Sequence, residues 1–234
     1  MNLSRLPTYT TLMRTATLFA AAALLALPAA ADEEVTHPFS TSISRSGIRR
    51  VIVDIPAGEV TLRNGTSDRI SVAGEVRREY DGYREREKQQ RIVDDVGAEI
   101  FTNGEEALIR RRYGPNASGW SARSWHSNYR ITVEVPRGMD VDIETRYGEL
   151  TFEGDFGNLN ADLRAGEIHM RVPRASVREL NASVRIGEVH TDFGVDREDH
   201  EGIFPGSTHF INAEGRSRIN VHTTVGELHI TLTR

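Results

Sequence analysis

Four stretches of the chain alternate apolar and polar residues with a period of two: Val141-x-Ile143-x-Thr145, Leu159-x-Ala161-x-Leu163, Leu180-x-Ala182-x-Val184 and Ile219-x-Val221-x-Thr223. Such alternation sets one row of side chains on one face, so each stretch predicts a half-buried strand. Each is followed within a few residues by Gly-Glu-aliphatic and a second alternating pair. The instances are Gly148-Glu149-Leu150-Thr151-Phe152, Gly166-Glu167-Ile168-His169-Met170, Gly187-Glu188-Val189-His190-Thr191 and Gly226-Glu227-Leu228-His229-Ile230. Gly58-Glu59-Val60-Thr61-Leu62 is a fifth copy, and Gly74-Glu75-Val76 a weaker sixth. Glycines 148, 166 and 187 are 18 and 21 residues apart, and the next gap, 39, reads as two such steps.

A repeat of about 20 residues with strand-like alternation predicts stacked coils, each a strand, a turn at the glycine, a second strand and a return turn. Glycine suits that turn because it takes positive φ without a Cβ penalty. The expected inward column is Leu150, Ile168, Val189 and Leu228, with Phe152, Met170 and Ile230 beside it. One coil buries too few side chains to offset the entropy of ordering it, so neighbouring coils must share a core. Crossovers between parallel strands favour one hand. The expected fold is therefore all-β: a right-handed parallel β-solenoid, or β-helix, with short coils.

The N-terminal part begins in the same pattern, with Val51-x-Val53-x-Ile55-Pro56, Val60-x-Leu62 and Ile70-x-Val72. Aliphatic-x-aliphatic-Pro recurs at Val133-Glu134-Val135-Pro136 and at Met170-Arg171-Val172-Pro173, where proline is expected to end strands. Residues 77–130 break the repeat. Charged residues from Gly82 to Val96 permit an inserted helix with Ile92, Val93 and Val96 as its apolar face. A hairpin is expected next, Ala98–Thr102 and Ala107–Arg111 about a turn at Asn103-Gly104. The stretch from Gly114 to Ser127 reads as a surface loop, and Val195 to Ser207 as a second insertion that accounts for the doubled gap.

Residues 1–31 stand apart. Arg5 and Arg14 precede an apolar run from Leu18 to Pro28 that is too short to span a bilayer, and Ala29-Ala30-Ala31 offers a cleavage site. This is the pattern of a secretory signal peptide, which makes the protein exported, periplasmic or secreted to the cell surface. The expected organisation is a signal peptide at 1–31, an N-terminal β section with its helical insert at about 82–96 in 32–130, and solenoid repeats in 131–234. Cleavage would leave 27 basic against 34 acidic residues, a net charge of −7, with Lys88 the only lysine. An acidic chain is a poor partner for nucleic acid or anionic lipid. With no cysteine, it must fold outside the cytoplasm without disulfides. No later segment is long and apolar enough to predict a transmembrane span in the mature chain.

The repeated Gly-Glu-aliphatic coils, preceded by an alternating section with a charged helical insert, resemble the bacterial putative adhesin family of exported β-solenoid domains. The resemblance covers roughly residues 45–234 and rests mainly on 131–234. The chain departs from it in using Glu where relatives often carry Asp. The resemblance implies interaction at the cell surface or envelope.

Candidate chemistry follows the same columns. Arg146, Arg164 and Arg185 each lie two residues before a motif glycine. With Glu149, Glu167 and Glu188 they predict two charge ladders that neutralise each other, or a binding strip for an acidic glycan or a partner's charged strand. Trp120 and Trp125 flank a polar loop that holds His126, where aromatics can stack on sugars. His169, His190 and His229 share one motif position, each two residues after a glutamate on the same strand face. Stacked Glu-x-His offers imidazole and carboxylate ligands, although outward strand positions accept any polar residue. These histidines are candidates only; no metal site, cofactor or catalytic residue is assigned. Asp94 and Asp95 are adjacent and would point apart, and no Gly-x-Ser-x-Gly occurs.

The expected function is that of a non-enzymatic envelope protein, adhesin-like and structural or interactive, with an envelope protein or glycan as partner. The alternatives are a sensing or partner-binding module of an envelope-stress pathway and a polysaccharide-active β-helix enzyme. The last coil, ending at Leu232-Thr233-Arg234, lacks a polar cap. It is therefore expected to pack on another copy, on a partner strand or on the 195–207 insertion.

Overall fold

The computed structural model describes residues 34–80, 83–117, 127–193 and 206–234. The expected leader, Trp120, Trp125, His126 and nearly all of the expected 195–207 insertion lie outside them. Most of the described residues are strand: β1 (Glu34–Ser44), β2 (Arg50–Asp54), β3 (Ala57–Asn64), β4 (Arg69–Glu79), β5 (Val96–Asn103), β6 (Glu106–Tyr113), β7 (Ser127–Val135), β8 (Asp140–Glu153), β9 (Leu159–Pro173), β10 (Val177–Thr191), β11 (Gly206–Ile211) and β12 (Ser217–Thr233). One helix, α1 (Tyr83–Asp94), interrupts them, together with a 3-10 turn at Pro115–Ala117. Among the described residues no helix is long and apolar enough to cross a membrane.

The long strands bend at the motif glycines. β8 pairs with β9 in parallel register from Val141↔Leu159 to Glu153↔Arg171. A straight strand of 14 residues would be about 46 Å long, whereas residues 154–158 between the two strands reach only about 20 Å. So β8 must double back near its middle. Burial shows where: Val141, Ile143 and Thr145 are buried, then Leu150 and Phe152, so the inward face passes from odd to even positions across Gly148. β9 shifts in the same way across Gly166, and β12 across Gly226. Both arms of each bent strand thus face one apolar interior.

All five Gly-Glu-aliphatic copies fall in one ladder. Gly58 pairs with Gly148, Gly148 with Gly166, Gly166 with Gly226, and Gly226 with Gly187. Their φ angles lie between 128° and 140°. A Cβ on Gly226 would lie 1.7 Å from the carbonyl oxygen of Gly166, and one on Gly187 1.8 Å from that of Gly226. The hydrogen that stands in for Cβ therefore aims at the carbonyl of the next rung, with Cα within about 3.3 Å of it, the range of a Cα–H···O contact. Two independent demands, a left-handed φ and the absence of a side chain, select glycine here.

The stacking order corrects the expected one. In space the rungs run β3, β8, β9, β12, β10, so the inward column reads Val60, Leu150, Ile168, Leu228, Val189, with the last only half-buried. Residues 174–176 carry the chain past one slot to β10, and β12 fills that slot, parallel to β9 on one side and to β10 on the other. The inserted strand is fastened at both ends. Ser217 Oγ donates to the carbonyl of Phe156 (2.6 Å), and the Leu232 amide donates to Asp192 Oδ1 (2.9 Å). The amide of Arg174 caps the carbonyl of Thr233 (2.9 Å). β12 itself is therefore not an open edge, since β9 and β10 pair with it on either side; the end of the stack falls at β10 instead. The outer neighbour of β10 is β11, antiparallel from Glu179↔Ile211 to Val184↔Gly206.

Nor is the sheet parallel throughout. β4 lies antiparallel to β1 on one side and to β7 on the other, and β7 joins the stack through parallel β3. The weaker motif at Gly74 thus sits in an antiparallel strand opposite Ile131, outside the glycine ladder. β5 and β6 form a hairpin whose turn places Gly104 at φ 59°, and β6 reaches the stack through parallel β2. The two arms of β8 thus continue into different strands, its first half into β2 and its second into β3. Helix α1 lies against both β1 and β5, with Ile92 and Val93 buried beneath it. The result is a mixed, open sheet.

Candidate functional site

Because parallel in-register strands set equivalent residues side by side, each outward motif position becomes a column with a rung spacing of about 4.8 Å. The position two residues before the glycine carries Arg146, Arg164, Thr224 and Arg185 in spatial order. The arginine column is therefore real but interrupted, because β12 contributes threonine between Arg164 and Arg185. All three arginines are exposed. Among the described residues no ion pair joins them to Glu149, Glu167 or Glu188, so the expected mutual neutralisation is absent. Next to this column runs an apolar one, Tyr147, Ala165, Val225 and Ile186, in which Val225 and Ile186 are each 44% exposed.

Across the glycine corner lies the glutamate column, Glu59, Glu149, Glu167, Glu227 and Glu188. Its first member is held by Arg130, whose Nε donates to Glu59 Oε2 at 2.7 Å. That bond raises the guanidinium pKa above its ordinary value. Thr151 Oγ1 donates to Glu149 (3.2 Å). The other three meet histidine: Nε2 of His169, His229 and His190 lies 3.2, 3.1 and 3.3 Å from Oε2 of Glu167, Glu227 and Glu188. The three rings stack almost parallel, His169 to His229 at 4.9 Å and 7°, and His229 to His190 at 4.8 Å and 14°. Sequence order would place His190 in the middle; the inserted strand gives that place to His229.

One column was not singled out from the sequence. Asn181 Nδ2 donates to Asn220 Oδ1 (3.1 Å), Asn220 Nδ2 to Asn160 Oδ1 (3.0 Å), and Asn160 Nδ2 to Asp142 Oδ1 (2.6 Å). The chain of amides ends on a carboxylate, and Arg50 lies 3.5 Å from Asp142. Its signal was present: the polar residue after the first apolar one in each alternating run is Asp142, Asn160, Asn181 or Asn220.

The hollows of the described surface are shallow and edged with charge, one lined by Arg45, Gly47, Arg49, Asp68 and Glu105, another by Arg86, Glu87, Gln90 and Arg91. Trp120 and Trp125 cannot be placed relative to the columns, since they lie outside the described residues.

No protein-family model and no curated protein matches the chain. Among solved structures it is similar to a putative cell adhesion protein from Clostridium sporogenes, with 8% identity over 85% of this chain and 100% of that one, at a TM-score of 0.47. It is also similar to a putative adhesin from Parabacteroides distasonis, with 9% identity over 82% of this chain and 97% of that one (TM-score 0.25). A third similarity is to a putative lipid binding protein from Parabacteroides distasonis, with 10% identity over 84% of this chain and 97% of that one (TM-score 0.24).

Proposed function

We propose that the chain is an exported, non-enzymatic, adhesin-like β-solenoid that makes a structural or interaction contact at the bacterial envelope. The parallel registers and mid-strand glycine corners support a short solenoid. In this reading residues 1–31 are a cleaved leader, residues 131–234 carry most of the outward columns, and the section within 32–130 closes one end of the stack.

The observation that carries the interaction role is an arginine column with no ion pair among the described residues beside an exposed apolar column. Arginine presents a planar fork to carboxylates, while Val225 and Ile186 present apolar surface at the same rung spacing. An extended acidic polysaccharide uses both features, its carboxylates on the arginines and its sugar faces on the apolar side chains. Retention of the untagged protein on immobilised polygalacturonate tests this. Wild type should be retained, and the combined Arg146→Ser, Arg164→Ser, Arg185→Ser variant should lose at least about tenfold in affinity, the order expected for two or three charge-assisted contacts. Absence of retention, or retention unchanged in the variant, would overturn the proposed contact. Shortening of the polymer during the assay would instead show an enzyme.

A further inference from the structure

We propose that His190, Glu227 and His229 bind one divalent ion of the zinc class on the outer face of the stack. One ligand atom from each, a ring nitrogen of either histidine and a carboxylate oxygen of Glu227, lies within 4.8 Å of the other two. Two imidazoles and a carboxylate are a donor set that suits Zn²⁺ and leaves a fourth position open. Tetrahedral zinc with bonds near 2.0–2.1 Å needs its nitrogens about 3.3–3.4 Å apart, so the side chains must converge by at most about 1.5 Å. Side-chain rotation can supply that without moving the strands, because His190 and His229 are 48% and 37% exposed.

Stacking fixes where the ion sits. Rings 4.8 Å apart and 14° from parallel leave no space between their faces. Their Nε2 atoms, however, project from the same edge toward the glutamate column, 3.1 Å from Glu227 and 3.3 Å from Glu188. The neutral tautomer protonated at Nδ1 offers that Nε2 lone pair to a metal. Glu227 then changes from hydrogen-bond acceptor to ligand, and Glu188 or water takes the fourth position. His169 is less available, since its Nε2 lies 3.2 Å from Glu167 and 3.9 Å from Glu149.

Charge favours the same occupant. Glu149, Glu167, Glu227 and Glu188 stand on successive rungs, and among the described residues none has a guanidinium or ammonium group within 4.0 Å. Like charges at rung spacing repel, and a bound dication lowers that repulsion where neutral histidine cannot. Glu59, which has Arg130, shows how the column is neutralised elsewhere.

Titration calorimetry of the untagged protein with zinc chloride at pH 7.5 tests the site. One ion per chain at micromolar affinity is expected, and His229→Asn and Glu227→Gln should each weaken binding at least tenfold. His222→Asn, which alters an exposed histidine on the other arm, should stay within twofold. Cobalt(II) should give the visible bands of a tetrahedral ion in wild type and lose them in His229→Asn. Circular dichroism of each variant guards against misfolding. No heat with millimolar zinc, or equal affinity in wild type and a folded His229→Asn, would overturn the proposal. The triple arginine variant should bind zinc normally, so failure of the glycan contact and failure of the metal site can be told apart.

Discussion

In the antiparallel region formed by β1, β4 and β7, each residue faces a different residue. In the parallel stack of β8, β9, β12 and β10, each faces its own equivalent. The antiparallel side can therefore place opposite charges together, and does: Arg130 of β7 lies 3.9 Å from Glu75 of β4, and Arg77 of β4 lies 3.7 Å from Glu34 of β1. The stack cannot, because in-register repeats put glutamate beside glutamate and asparagine beside asparagine. It uses groups that both donate and accept, so asparagine runs as a hydrogen-bonded file and histidine sits between carboxylates. Whether neighbouring strands are copies of one repeat thus decides which side chains a surface can carry at low cost: parallel β3 and β7, which are not, still pair Arg130 with Glu59.

Substitution can break this contrast most severely at the corner. Gly226→Ala adds a Cβ that collides with the backbone of Gly166 and strains φ at 140°, and should cost about 4 kcal/mol. Gly47→Ala is strained only in φ, with nothing within 4 Å, and should cost about 1 kcal/mol. Urea unfolding of both variants measures the difference; equal losses would mean that the rung contact is unimportant.

A smaller effect is expected within the asparagine file. Asn220→Asp removes the donor facing Asn160 and should destabilise by about 1–2 kcal/mol at neutral pH. The loss should shrink as the new carboxyl is protonated near pH 3, which a pH series of melting curves would reveal.

Tyr129, on β7, sharpens the comparison from the antiparallel side. Burial pushes its phenol pKa up, partly offset by the Arg111 guanidinium 3.9 Å from its ring centre. A raised folded-state pKa means the contribution is fully present below the unfolded value near 10 and is lost as pH rises beyond it. At pH 11 the wild type should therefore lose about 1 kcal/mol more than Tyr129→Phe, relative to each protein at pH 8. Parallel alkaline denaturation curves would contradict this.

The smallest effect belongs to the private ion pairs. Arg63→Gln breaks a half-exposed pair with Glu134 and should cost less than about 1 kcal/mol, shrinking further in 0.5 M salt. A loss above about 2 kcal/mol would place more stability in the β3–β7 charge pair than its exposure allows.

The glycine ladder was legible in the sequence because glycine answers two demands that no other residue meets, and its five copies all found one another. The 98–111 hairpin was legible through Gly104, a local signal, although its turn is Gly104-Glu105, one residue later than expected. The order of the rungs was not. Leu150, Ile168, Val189 and Leu228 are interchangeable aliphatics, so every permutation of the coils buries the same kinds of side chain. What selects the observed order is where the connections lead: 174–176 cross the end of β12, and the antiparallel return through β11 brings the chain back to the vacant slot. The antiparallel β4 was hidden for a related reason, since alternation specifies a face and not a direction. The three arginines fall on one column, but Thr224 between them was invisible until the register was known.

The late arrival of β12 also bears on the order of assembly. Its slot is bounded by β9 and β10, both earlier in the chain, so neither facing edge has its native partner until residues 217–233 pair with it. Without β12 two bare strand edges would face each other, and its docking covers both at once.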